Sequence, residues 1–490
     1  MTARDAIPSL NIDTAKLQAH INDKWDRDLV PALTEYIRIP AKSPSFDTDW
    51  AKHGFLDKAI EDARQWVAAQ NLPGATVEIV RIGDRTPVLF FDVPATGGLS
   101  NDKTVMLYGH LDKQPEMVGW RSDSGPWTPL YEDGKLYGRG GADDGYAVYA
   151  SLAAIMALDA QGVARPRCVG LIETCEESGS YDLPAYLDAL APRLGDVQLV
   201  IALDSGAGDY ERVWVTTSLR GLVNGTLKVS MLTEGVHSGD AGGVVPSSFR
   251  VARQLLDRID DSGTGVVKSD DFKAEIPAER VEQAKAAAAI MGEAMWKRFP
   301  WDSCCGDDGK FNFVQPATKD PVELILNRTW RAALAVTGAD GLPPTAAAGN
   351  VQRPYTSLKL SLRLPPPVDG HKAAATLKQT LETNPPYSAN VSFTYDHSAT
   401  GWNAPPTAPW LSQLLDSASQ RFYGQPAAYM GEGGTIPFMG MLGAKFPHAQ
   451  MLVTGVLGPK SNAHGPNEFL HVPYAKKLTA AVAMVIAGVR

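Results

Sequence analysis

At 490 residues the chain is too long for one hydrophobic core, so two or more domains are expected. Its composition, 44% apolar and 21% charged, is that of an ordinary globular protein and excludes collagen-like and disordered classes. A formal net charge of −9 argues against nonspecific nucleic-acid binding and against a polybasic membrane contact.

Met1 to Pro8 carries no apolar segment of the secretory kind, and no run is long and apolar enough for a membrane span. The four cysteines make no disulfide framework in so long a chain. Cys168 and Cys175 read as small buried hydrophobes, and Cys304-Cys305 as part of a Gly/Asp-rich loop. A reducing cytoplasm fits this pattern.

Leu17, Ile21, Trp25, Leu29, Leu33 and Ile37 predict a helix from Thr14 to Ile39, stopped by Pro40. A second amphipathic helix is expected over Gly54 to Gln70, then strands over Val77–Ile82 and Val88–Val93. Thr104–Leu107 reads as a buried strand, and His110 and Asp112 follow it. In extended backbone residues two apart point to one side, so this imidazole and carboxylate project together.

The glycines between Gly138 and Gly145 lack the Gly-Lys-Ser/Thr of a phosphate loop. They predict a tight turn that delivers Asp143 and Asp144 to the start of a helix over Tyr146–Ala160. The strand Cys168–Ile172 runs into Glu173, Glu176 and Glu177, and the strand Val197–Leu203 ends at Asp204. Carboxylates gathered beside a core repel and lose solvation, a cost that cations remove.

From Val213 the pattern changes to alternating strands, a polar loop over Gly235–Gly243 containing His237, and helices over Phe249–Asp260 and Ala278–Met295. Ser357–Leu364 and Ala389–Tyr395 read as strands around a helix over His371–Thr383. This predicts an α+β insertion in an α/β domain: residues 1–214 and 398–490 form the catalytic domain, and 215–397 the insertion. The strand Gln450–Thr454 precedes a loop with His464. Thus His110, Asp112, Asp143, Glu176, Glu177, Asp204 and His464 mostly follow strands, where open α/β sheets bind ligands. Oxygen and imidazole donors without cysteine suit Zn²⁺, Mn²⁺ or Co²⁺. His20, His53, His371, His397, His448 and His471 read as surface or packing residues.

Several ordered stretches carry a resemblance: Gly109–Asp112, Asp133–Gly140, Asp143-Asp144, Glu176–Ser180, His237–Gly239, Arg363-Leu364, Glu432–Pro437 and the His464 loop. Over nearly its whole length the chain resembles the dinuclear metallopeptidases that include cytosolic nonspecific dipeptidase, carnosinase, succinyl-diaminopimelate desuccinylase and glutamate carboxypeptidase. It is most similar to the carnosinase-type dipeptidase branch. The resemblance implies a central mixed sheet flanked by helices, with the insertion as a lid and dimerisation domain.

It also implies two divalent ions per subunit, with Zn²⁺ preferred and Mn²⁺ or Co²⁺ as alternatives. Asp143 would bridge them, His110 and Asp204 would complete one, and Glu177 and His464 the other. Asp112 would hold the His110 tautomer, and a cis peptide would follow Asp143. A water activated between the ions would lose its proton to Glu176, which returns it to the leaving amine. His237 would steady the oxyanion across a homodimer interface, and Arg363 would take the substrate carboxylate. The branch has threonine where this chain has Asn350, and serine where it has Thr435. Both positions are expected to contact substrate, and Ser262–Gly349 matches the branch poorly.

The expectation is a cytoplasmic, homodimeric metalloexopeptidase cleaving dipeptides or other small peptides, without a nucleic-acid or membrane partner. Two alternatives are an N-acyl-amino-acid amidohydrolase and a catalytically silent dimeric binding protein. Retention of Glu176 and the full ligand set speaks against the last.

Overall fold

The computed structural model describes residues 10–305 and 311–489, which form two compact units. The first comprises residues up to Thr217 together with Ala404–Met430 and Met441 onward; the second comprises Ser218–Asn403 and Gly431–Gly440. The stretch Gly431–Gly440, which the sequence pattern leaves in the catalytic domain, packs with the inserted unit. There Gly433 lies against Arg328 and Arg220 so closely that a Cβ would meet them at 3.0–3.2 Å.

In the first unit six strands form one sheet: β1 (Thr76–Val80), β2 (Val88–Val93), β3 (Lys103–His110), β4 (Arg167–Glu173), β5 (Asp196–Ala202) and β6 (Gln450–Val453). Their order is β1-β2-β4-β3-β5-β6. The pairs β4-β3, β3-β5 and β5-β6 are parallel, whereas β1-β2 and β2-β4 are antiparallel, so the sheet is mixed. Register places His110 opposite Glu173 and Tyr108 opposite Ala202. Three parallel strands therefore end side by side, and their following loops carry the acids singled out above.

The helix Tyr146–Asp159 is apolar nearly all round and buried, as a helix between other elements must be. It packs on β3 and on the helix Val472–Gly488. The predicted first helix is helical from Thr14 to Ile37, with a π-turn over Trp25–Leu29. Trp25 is fully buried, and its indole N–H donates to Thr479 Oγ1 at 3.1 Å.

The second unit has a four-stranded antiparallel sheet in the order Ala333–Asp340, Tyr355–Leu364, Gly221–Ser230, Asn390–Ala399. Leu358, Leu360, Leu362 and Leu364 enter one apolar core with Val251, Leu255 and Leu377 from two helices. Lys359, Ser361 and Arg363 alternate onto the opposite face. The strand Ala333–Asp340 lacks such alternation and was not foreseen; its pairing with Tyr355–Leu364 makes it a strand. Two expected loops are also structured. Val236–His237 pairs with Val351–Gln352 and leads into a helical turn, Ser238–Ala241. Ser303–Cys305 pairs with Phe311–Phe313. No helix among the described residues is long and apolar enough to cross a membrane.

Candidate metal centre

His110 is the last residue of β3. A Cβ at the preceding residue, Gly109, would come within 2.7 Å of Ala147 Cβ and 2.9 Å of Asp144 Oδ2. Glycine therefore lets the Asp143-Asp144 turn close on the strand. The Asp143-Asp144 peptide bond is cis, and Asp144 Oδ2 accepts the His110 backbone N–H at 3.3 Å.

Two groups of donors meet here. His110, Asp143 and Asp204 form one, and Asp143, Glu177 and His464 the other, with ligand atoms in each group lying within 4.8 Å of one another. Asp143 belongs to both. The His110 Nδ1–H donates to the Asp112 carbonyl oxygen at 3.0 Å, which leaves the Nε2 lone pair directed inward in the neutral ring. Buried Nε2 has no hydrogen-bond partner; it lies 3.4 Å from Asp143 Oδ1 and 3.8 Å from Asp204 Oδ2. His464 Nε2 lies 3.0 Å from Asp143 Oδ2 and 3.4 Å from Glu177 Oε2.

Charge points the same way. Burial first, then neighbouring Asp143, pushes the Glu177 carboxyl up to about 8. Burial also raises Asp204 to about 7, with Asp143 adding to the rise and His110 opposing it. Glu176 is driven well above the carboxylate range by burial and then by Asp204. Desolvation would lower His464, but Glu177 and Asp143 outweigh it and hold the ring at about 10. Fully ionised, Asp143, Glu176, Glu177 and Asp204 would outnumber two imidazolium rings, and burial with mutual repulsion raises three of the four. An inward lone pair beside carboxylates is the donor set of a hard or borderline divalent cation. The residues of each group fit the ligand set of a metal ion.

Glu176 stands outside both donor groups, only 9% exposed. Its position comes from Asp112, whose Oδ1 accepts the Glu176 N–H at 3.1 Å and whose Oδ2 accepts the Glu177 N–H at 2.9 Å. Asp112 thus acts through two groups. The main-chain carbonyl of Asp112 orients His110, while its carboxylate, 3.5 Å from Nδ1, anchors the Glu176-Glu177 turn.

Sequence reasoning missed the outer contacts. Gln114 Nε2 donates to Glu177 Oε2 at 2.6 Å. Buried Lys113 donates to the carbonyls of Tyr36 and Ile39, both at 2.8 Å, and so caps the helix Val30–Ile37. Arg139 pairs with Glu468 at 2.8 Å, both fully enclosed. Only Arg139 had a local signal, as part of the Gly-rich turn.

In the inserted unit, His237 is exposed, and its Nδ1 accepts the Gly239 N–H at 3.1 Å. That bond places the neutral ring's proton on Nε2. Asn350 lies alongside, its carbonyl accepting the Ser238 N–H at 2.9 Å. Arg363 Nη1 donates to Thr435 Oγ1 at 3.0 Å, and that hydroxyl donates to the Arg220 carbonyl at 2.6 Å. Burial, then Arg363 and Arg328, lowers Arg220 to about 10. Glu432 sits 3.5 Å from Arg328. The group around Arg363 is thus strongly cationic, a feature that Arg363 alone did not reveal.

A family model, Peptidase family M20/M25/M40, matches residues 106–488, a span that holds every donor named above. The chain belongs to this family. It is therefore a metal-dependent peptide hydrolase. A relative in Corynebacterium striatum, cysteinylglycine-S-conjugate dipeptidase, is 25% identical over 436 residues, 85% of this chain and 88% of the relative. Among solved structures, the dipeptidase Dug1p of Saccharomyces cerevisiae has a TM-score of 0.74 at 21% identity, covering 97% of this chain and 98% of its own. Human carnosine dipeptidase 1 also has a TM-score of 0.74, at 22% identity, covering 97% and 100%. These two structures share the α/β fold with this member of the family.

Proposed function

We propose that this M20/M25/M40 member is a two-ion exopeptidase that hydrolyses dipeptides or small peptide-like amides. The observation that carries the reading is the pair of three-donor groups sharing Asp143, with buried Glu176 beside them and part of neither. The dipeptidase names of the relatives support the substrate class. Zn²⁺ is the preferred metal, with Mn²⁺ and Co²⁺ fitting the same donors.

His110, Asp143 and Asp204 would hold one ion, and Asp143, Glu177 and His464 the other. When bound, the ions supply an acidified water and polarise the scissile carbonyl. Glu176 accepts the water proton on its carboxylate and delivers it to the leaving nitrogen. Asp112 keeps that carboxylate in place through the Glu176 N–H. The Nε2–H of His237 is a donor suited to the developing oxyanion. Arg363 offers a planar fork for the substrate carboxylate, in the cationic group around Thr435.

The reading includes a cytoplasmic homodimer in which His237 serves the partner subunit. In support, Ala333–Asp340 is an edge strand of the inserted unit, and Val336 on it is 49% exposed. Replacing His237 with Ala is expected to lower kcat by about 10²–10³ with unchanged metal content. Steady-state kinetics equal to wild type would remove His237 from the mechanism.

The deciding experiment strips the protein with chelator and reloads it with Zn²⁺, Mn²⁺ or Co²⁺. Free dipeptides, their N-acetyl forms and their C-terminal amides are then compared. Metal-restored cleavage of free dipeptides, lost on blocking the amine, is the expected result. Cleavage of N-acyl amino acids alone would replace the reading with an amidohydrolase.

A further inference from the structure

The buried ion pair Arg139–Glu468 touches no donor side chain of the metal centre, yet it binds the backbone on both sides of it. One Glu468 oxygen, Oε2, takes Arg139 Nη1 at 2.8 Å. The other, Oε1, accepts the N–H groups of Gly140 at 3.0 Å, Ala142 at 3.3 Å and Asp143 at 3.3 Å. Arg139 Nη2 donates to the carbonyls of His464 at 3.0 Å and Gly465 at 2.9 Å, and Nε to that of Pro115 at 3.2 Å. Side-chain exposure is 1% for Arg139 and 0% for Glu468.

The donors differ in what else holds them. His110 ends a central strand and is oriented by the Asp112 carbonyl. Asp204 follows β5 within two residues. His464 lies in a loop, its side chain 54% exposed and its backbone at φ 64°, a left-handed conformation unfavourable for a residue with a Cβ. Through Glu468 the guanidinium on its carbonyl ties this loop to the backbone of the Asp143 turn.

We propose that Arg139 and Glu468 are a positioning pair that sets the spacing between the two donor groups, so that weakening the pair releases the ion of Asp143, Glu177 and His464 while the ion of His110, Asp143 and Asp204 stays. The inference rests on the two-ion reading above. Lysine at position 139 keeps the charge but has no fork to reach the His464 and Gly465 carbonyls together. Glutamine at position 468 keeps an oxygen for the three N–H groups but loses the countercharge.

The test is Co²⁺ titration of chelator-stripped wild type, Arg139→Lys and Glu468→Gln, each shown to be folded by circular dichroism. Stoichiometry and the visible Co²⁺ absorption are followed together. Wild type is expected to bind two Co²⁺ per chain. Each variant is expected to keep one at wild-type affinity and to bind the second about 10–100-fold more weakly, with loss of that ion's spectral contribution. A folded variant with two ions of wild-type affinity and spectrum would overturn the positioning role and leave the two-ion reading intact. Equal weakening of both ions would overturn the selectivity. Fewer than two ions in wild type would remove the two-ion reading and the inference together. If one variant does not fold, the other gives the same comparison.

Discussion

Glu176→Gln is expected to bind the same metal as wild type and to lose about 10²–10⁴ of kcat, the usual span for a general acid–base residue. Three observations separate this outcome from simple damage. Glu176 belongs to neither donor group, so its replacement leaves every candidate metal donor in place. Its backbone N–H, rather than its carboxylate, makes the bond to Asp112, and the amide variant keeps that bond. Glutamine matches the volume of glutamate, so the 9% exposed site is not repacked. The change removes only the ability to take a proton. Metal content by elemental analysis and kcat on a free dipeptide make the check. A variant with normal metal and turnover within a few-fold of wild type would assign the proton transfer to another group.

The parts of this molecule that were legible in advance are those with a local signal. Apolar runs ended by acids or histidine located β3, β4 and β5, because a buried parallel strand has no polar face. Most candidate donors lie within a few residues of such a run or of a Gly-rich turn; His464 stands well past its strand, and the sharing of donors between ions came only from the family resemblance. Contacts between distant segments were not legible. Asp112 reaches Glu176 across 64 residues, and Arg139 reaches Glu468 across 329. Nothing near Glu468 in sequence says that its carboxylate will receive three N–H groups of another loop. The strand Ala333–Asp340 failed for a related reason. Most of its residues are exposed, so burial imposes no alternation on it, and its partner strand decides its conformation. The affiliation of Thr435 was hidden too, because the hydroxyl meets Arg363 across 72 residues.

Asp143 provides the second large effect, because both donor groups include it. Asp143→Ala leaves His110 with Asp204 and Glu177 with His464. Two protein donors per ion fall short of the three that catalytic zinc sites use. Dialysed Asp143→Ala is therefore expected to retain almost no metal, and its turnover should match that of chelated wild type. Asp143→Asn makes a graded comparison: one amide oxygen can serve one ion, so one ion at most is expected to remain. Thermal unfolding reports the same loss without any substrate. An ion that binds only the folded chain stabilises it by about 2.7 kcal/mol at one hundred times its Kd. Added Zn²⁺ should raise the Tm of wild type and leave that of Asp143→Ala unchanged. Two ions and substantial turnover in Asp143→Ala would show that the donor groups are completed without the shared carboxylate. Asp143 would then be a neighbour of the centre and not its bridge.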